Sequence, residues 1–117
     1  MNHYFAGPRS YDNYLDTEDL RNLRKFYDSF PKNQVVHREP RMLILNVNYM
    51  YVLYSYSTHV ATIKNSELFR RWYGWSATTS KHLKTFCNMF GVHAPNKAEW
   101  EKMNPVAINM ETGEVMH

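Results

Sequence analysis

Tyr51–Ser57 constrains the fold more than any other stretch of this chain. The run Tyr-Val-Leu-Tyr-Ser-Tyr-Ser is rich in aromatic residues and has none of the i, i+3, i+4 spacing of a helix, so it reads as a strand. Its neighbours extend it into a sheet. Met42–Val47 is an apolar run of strand length, and Asn46, Asn48 and Tyr49 mark a turn after it. Val60–Ile63 resumes the pattern, Lys64-Asn65-Ser66 suits a hairpin loop, and Leu68–Tyr73 reads as the returning strand that Gly74 ends.

Helices flank this sheet. Leu20, Leu23, Tyr27 and Phe30 recur at helical spacing with Phe26 beside them, Asp16 or Thr17 offers a cap, and Pro31 stops the pattern, which predicts a helix near 17–30. Leu83, Phe86, Cys87 and Phe90 form one apolar stripe after Thr78 or Thr79 as cap, with Gly91 placed as a left-handed closing residue, which predicts a helix near 79–90. A short helix near 97–103 follows, capped by Asn96 and stopped by Pro105, with Trp100 on its apolar side; Val106–Met110 and Glu114–Met116 suit a small terminal hairpin. The expected fold is α+β: a small antiparallel sheet with strands near 42–47, 51–57, 60–63 and 68–73, two main helices and a short one. Residues 31–40 read as a polar link. Residues 1–16, with Tyr4, Phe5, Tyr11 and Tyr14, read as an irregular aromatic arm pinned to the body.

The chain has 117 residues, enough for a single domain over 1–117 with one modest core. With 44% hydrophobic and 21% charged residues it has a folding composition. The nine tyrosines suit half-buried sheets and binding surfaces. The formal charge of +3 is unevenly spread. Residues 1–40 are neutral, residues 41–90 carry six Lys/Arg against the single acid Glu67, and residues 91–117 are net acidic. A basic middle block favours an anionic partner, either nucleic acid or an acidic protein face, or else is a solvated surface. The lone Cys87 excludes an internal disulfide and fits a reducing, cytoplasmic setting. No apolar run reaches signal-peptide or membrane-spanning length, so no membrane association is expected.

Two segments carry a resemblance. Ser55-Tyr56-x-Thr58-x-Val60-Ala61 and Thr78-Thr79-Ser80-Lys81-His82-x-x-x-Phe86 together resemble a group of small tailed-bacteriophage proteins, in which a strand pair leads into a helix opening with Thr-Thr-Ser-x-His. The resemblance covers about a third of the chain. It implies a viral context, and within it a stoichiometric binder of host machinery such as an anti-CRISPR-like inhibitor of host defence.

Four kinds of chemistry are open to these residue types: anion binding, base stacking, catalysis and metal or cofactor binding. Thr78, Thr79, Lys81 and His82 sit at a predicted helix start, where hydroxyls, free N–H groups and positive charge can receive an anion; the plainer alternative is a capped helix with His82 bonded to the sheet. Arg70, Arg71, Trp72 and Trp75 interleave cations with rings. On a strand Arg70 and Trp72 share one face, an arrangement that can hold phosphate while stacking on a base; the alternative is that the rings fill the core. Catalysis has little to build on. Ser55, Ser57, Thr58 and Cys87 are candidate nucleophiles and His59 or His82 candidate bases, with Ser57 and His59 on one side of the strand, yet no orienting carboxylate is evident. The six histidines and one cysteine include no His-x-x-x-His or Cys-x-x-Cys, and the four glycines are isolated, so no metal and no cofactor are expected.

The resulting expectation is a non-enzymatic binder of a host or viral protein, plausible as an inhibitor of a host defence or nucleic-acid-processing system. Its expected contact residues are Arg70, Arg71, Trp72, Trp75, Thr78, Thr79, Lys81 and His82. The alternatives are a direct DNA- or RNA-binding protein using the same residues and, third, a small metal-free hydrolase or nuclease. Open sheet edges also allow a homodimer.

Overall fold

The structure, a computed structural model, describes residues 17–116. The aromatic arm expected over 1–16 and the side-chain cap expected at Asp16 or Thr17 lie outside the described residues. Helix α1 spans Thr17–Asp28, and a single 3-10 turn, Lys32–Gln34, leads into β1, Val35–Glu39. Strands β2 (Met42–Val47), β3 (Met50–Ser55), β4 (Thr58–Lys64) and β5 (Glu67–Arg70) follow. Then come α2 (Ala77–Met89), α3 (Lys97–Lys102) and the short strands β6 (Ala107–Ile108) and β7 (Val115–Met116).

The five main strands form one antiparallel meander in the order β1-β2-β3-β4-β5, and β6 pairs with β7 as a separate ribbon. Turn chemistry explains the tight connections. Asn48 and Tyr49 have φ of 51° and 64°, and Asn65 and Ser66 have φ of 53° and 64°. Two consecutive left-handed residues give the turn whose twist matches that of the flanking strands. At the β3–β4 connection Tyr56 is left-handed, with φ of 54°, and its N–H donates to the Arg41 carbonyl at 2.8 Å.

The α+β architecture is the one expected, with three differences in detail. Residues 35–39, read as part of a polar link, form β1. They carry His37, Arg38 and Glu39 at an exposed sheet edge, so the apolar alternation that signals a strand is missing. Strand β5 ends at Arg70 and not at Tyr73. Beyond it the N–H groups of Arg71 and Trp72 both donate to the Val60 carbonyl, at 2.9 and 3.1 Å, which takes the chain out of the ladder. Helix α2 begins at Ala77, capped by Ser76 and not by Thr78 or Thr79: the Ser76 hydroxyl accepts from the Thr79 N–H at 3.1 Å. Gly91 closes that helix region with φ of +68°, as expected.

Helices cover both sheet faces, so Met42, Leu43, Ile44 and Leu45 are all buried although neighbours point in opposite directions. On one face Met42, Ile44, Leu53, Ala61 and Ile63 pack against Leu83, Phe86 and Cys87 of α2 and Trp100 of α3. On the other, Leu43, Leu45 and Val52 meet Leu23 and Tyr27 of α1. Cys87 packs as a small hydrophobe, and burial pushes its thiol up to about 11. The terminal hairpin is tied to the far end of the sheet: the Asn48 amide donates to the carbonyls of Met110 and, at 2.7 Å, Glu111, and Lys64 Nζ donates to the Gly113 carbonyl at 2.5 Å. The Val106 N–H donates to the Arg70 carbonyl at 2.8 Å, so the edge at β5 is partly occupied. The edge at β1 carries a bulge and charged residues, both features that hinder pairing with another strand. Among the described residues no helix is long and apolar enough to cross a membrane.

Candidate binding site

The cation–aromatic block does not present its groups as one surface. Arg70 was expected at the contact face, but it is buried, with 6% of its surface exposed. Its Nε donates to the Trp72 carbonyl at 2.8 Å, Nη1 to the carbonyls of Trp100 and Met103 at 2.9 Å each, and Nη2 to that of Tyr73. The guanidinium also lies 5.2 Å from the Trp100 ring centroid. The planar fork of five donors is used to tie the 70–75 loop to the end of α3, an internal role that removes it from the surface.

The rest of the block divides. Arg71 is exposed, and its charge is felt at Tyr54 and His59. Trp75 is half-buried, 6.3 Å from the Trp100 ring, whose Nε1 donates to the Gly74 carbonyl at 2.8 Å. Trp72 is half-buried and folds back over Gly74. A Cβ on Gly74 would stand 2.4 Å from Cζ2 of that indole, so the ring's position depends on the missing side chain. Spacing alone cannot show either the Arg70 staple or the Gly74 contact.

The start of α2 is likewise engaged inward. Ser55 of β3, 2% exposed, places its hydroxyl 2.7 Å from His82 Nδ1 and 3.2 Å from the Thr79 hydroxyl. Thr79 is buried and its N–H is taken by the Ser76 cap. This hydroxyl–imidazole cluster bridges sheet and helix, the plainer of the two roles open to His82. Lys81 is exposed and Thr78 half-buried. Thr79 and His82 are therefore part of a polar tie, with only Lys81 of this group fully displayed.

What the structure does assemble is a cleft of about 670 Å³ between α1, the β3–β4 turn and the start of α2, within the size range of ordinary ligand sites. Leu20, Leu23 and Phe26 of α1 form one apolar wall, with Val60 and Trp72 contributing further apolar surface. Ser55, Ser57, Thr58, Ser76, Thr78 and Thr79 line most of the remainder, together with Asp19, Asn22 and Tyr56. Of the residues expected at the site, the cleft gathers Trp72, Thr78 and Thr79; Arg70, Arg71, Trp75, Lys81 and His82 are not among its lining residues. The α1 wall was missed because its residues were assigned wholly to the core; the half-buried state of Leu20 and Phe26 has no separate signature in a helical repeat.

A family model described as "Family of unknown function (DUF8033)" matches residues 17–102. The chain belongs to this family. No curated protein and no solved structure matches it. The DUF8033 match runs from α1 through α3, so it takes in every described lining residue of the cleft and leaves out the β6–β7 hairpin.

Within the DUF8033 region the remaining histidine of interest is His59. Its Nε2 lies 2.9 Å from the Thr62 hydroxyl, and its ring is 5.4 Å from that of Tyr54. Ser57 sits in the exposed β3–β4 turn, apart from the Ser55–His82 contact. Among the described residues no group of three His, Cys, Asp or Glu side chains could hold a metal ion. Burial, and then the Arg71 charge, lowers the His59 pKa to about 4 from its ordinary 6.5. The folded state thus holds His59 neutral where the unfolded chain takes up a proton. Its contribution to stability is complete above about pH 6.5 and is lost as pH falls toward 4. Urea unfolding at pH 7 and pH 4.5 should show a drop that is smaller in His59→Gln by roughly 2–3 kcal/mol; an equal drop in both proteins would remove this assignment.

Proposed function

We propose that this protein is a non-enzymatic binding protein whose contact site is the cleft between α1, the β3–β4 turn and α2. The observation that carries the reading is the combination of apolar walls and a face rich in serine and threonine in one open concavity. Such a surface suits contact with another protein: apolar area supplies the driving force and the hydroxyls set orientation. The nucleic-acid alternative loses support because Arg70, half of the proposed cation pair, is committed to carbonyls inside the fold. A viral accessory role in the cytoplasm, with the partner a host or viral protein, is consistent with the phage resemblance of the Ser55–Ala61 and Thr78–Phe86 segments.

A photo-crosslinking residue tests this reading. Placed at Thr58, exposed on the cleft rim, it should capture a discrete protein from a bacterial lysate; placed at Asn88, exposed on α2 outside the cleft lining, it should not. Leu20→Asp, which puts a charge on the α1 wall, should reduce the product by about tenfold, the equivalent of burying one unpaired polar group. Equal capture from both positions would overturn the reading, as would a product that disappears on nuclease treatment.

A further inference from the structure

We propose that a second cavity, between α1 and the β1–β2 hairpin, binds a small organic anion: an oxyanion group on an apolar body, held by the guanidinium groups of Arg24 and Arg38. Among their described lining residues this cavity and the cleft above share only Leu20. The anion site and the protein-binding role stand independently of each other.

The cavity measures about 440 Å³ and is lined by Leu20, Arg24, Tyr27, Arg38, Glu39 and Pro40. That is within the size range of ordinary ligand sites, and a bare oxyanion would leave most of it unfilled. Leu20, Arg24 and Tyr27 follow one another at i, i+4 and i+7 along one stripe of α1, and Arg38 arrives from β1. The two arginines are tied together: Arg38 Nη2 donates to the Arg24 carbonyl at 3.4 Å. Arg38 Nη1 donates to Asp28 at 2.6 Å, and the guanidinium lies 5.6 Å from the Tyr27 ring centroid, which holds it beside the cavity. The Arg24 side chain is exposed and forms no ion pair among the described residues. Its planar fork is the geometry that takes two oxygens of a carboxylate or phosphate at once. Leu20, Tyr27 and Pro40 supply the apolar part of the wall.

Two carboxylates stand near the arginines, and both are engaged. Asp28 accepts from Arg38, and Glu39 Oε2 lies 2.7 Å from His37 Nε2. A third guanidinium adds to the positive side. Arg41 follows Pro40 and lies outside the lining, but its carbonyl accepts from the Tyr56 N–H at 2.8 Å, and the Tyr56 carbonyl accepts from the Tyr27 hydroxyl at 2.7 Å. Its Nε is buried with no hydrogen-bond partner. An unpaired charged group in such a place is costly, and the field of an anion nearby offsets part of that cost. A polyanion fits less well, because its further phosphates would meet the exposed carboxylates of Asp28 and Glu39.

The test is a titration of full-length, nitrogen-15-labelled protein with phenyl phosphate, benzoate, inorganic phosphate and the neutral benzamide. Phenyl phosphate and benzoate should give saturable shifts at the Arg24 and Arg38 side-chain N–H groups and the Tyr27 amide, leaving Asn88 unmoved; the tighter of the two identifies the headgroup. Inorganic phosphate should bind the same positions about fivefold more weakly than phenyl phosphate, having no apolar body to bury. Arg24→Gln should weaken phenyl phosphate binding by about tenfold, the size of one charge-assisted hydrogen bond. Arg71→Gln makes the same charge change elsewhere on the surface and should leave binding as it was. Because Arg24 is exposed, the variant should keep the parent's urea midpoint. The absence of saturable shifts with both aromatic anions would overturn the proposal, as would equal binding of benzamide or equal weakening by the two glutamine variants. Tighter saturation of these positions by an octathymidine oligonucleotide than by phenyl phosphate would overturn it in favour of a nucleic-acid surface.

Discussion

Arg70→Met should destabilise the protein by about 3–5 kcal/mol, a large part of the total stability of a domain this size. The guanidinium satisfies four backbone carbonyls, those of Trp72, Tyr73, Trp100 and Met103. Methionine fills a similar volume and donates nothing, so the carbonyls lose its bonds in a site with little access to water, that of Trp100 keeping only the Met103 N–H at 3.1 Å. Each buried polar group left unsatisfied costs about 1–3 kcal/mol, and relaxation of the loop recovers only part of that sum. Arg70→Lys keeps the charge but not the fork and should fall between the two. Arg71→Met, one position on and exposed, is the control and should lie within about 0.5 kcal/mol of the parent. Urea midpoints for the four proteins decide the matter; similar midpoints for Arg70→Met and Arg71→Met would refute the internal staple.

Trp100→Ala should cost a comparable amount, about 3–5 kcal/mol. Helix α3 is six residues long and Trp100 is its one buried residue. A helix of that length has little stability of its own even with the Asn96–Glu99 capping box, so it holds its place through this side chain. The substitution removes the indole from the core face, its N–H from the Gly74 carbonyl, and the ring from beside Arg70. Because the two residues touch, their effects should not add: the double variant Arg70→Met/Trp100→Ala should fall short of the sum of the single losses by about 0.5–3 kcal/mol. Thermal or urea unfolding of the set gives this coupling directly, and strict additivity would show that the 70–75 loop and α3 are independent.

The fold was legible where burial leaves a period in the sequence. The stripe Leu83, Phe86, Cys87 reads as one helix face because all three are buried against a single sheet face. The turns at Asn48-Tyr49 and Asn65-Ser66 were legible through asparagine, which tolerates the left-handed backbone found there. Strand β1 was not, since an edge strand with Arg38 and Glu39 on display looks like a link. The site was harder to see. Arg70 beside Arg71 gives two identical letters, and only the carbonyls brought in from α3, some thirty positions downstream, separate a buried staple from an exposed cation. The cap at Ser76 lies two or three residues before the expected Thr78 or Thr79 because all three side chains can supply the oxygen. The α1 wall was hidden because Leu20 and Phe26 serve core and cleft at once.

The meander also bears on how the chain reaches this state. Each main strand pairs only with its immediate neighbours along the chain, through turns of two residues. Hairpin closures of that length lose little loop entropy, and topologies made of them assemble faster than sheets that join distant segments. Longer closures bring α3 back to Arg70 and the terminal hairpin back to Asn48 and Lys64. The nascent sheet can therefore zip from hairpin to hairpin, with the Trp72 and Tyr73 carbonyls already close to the guanidinium, while those of Trp100 and Met103 wait for the downstream chain to arrive.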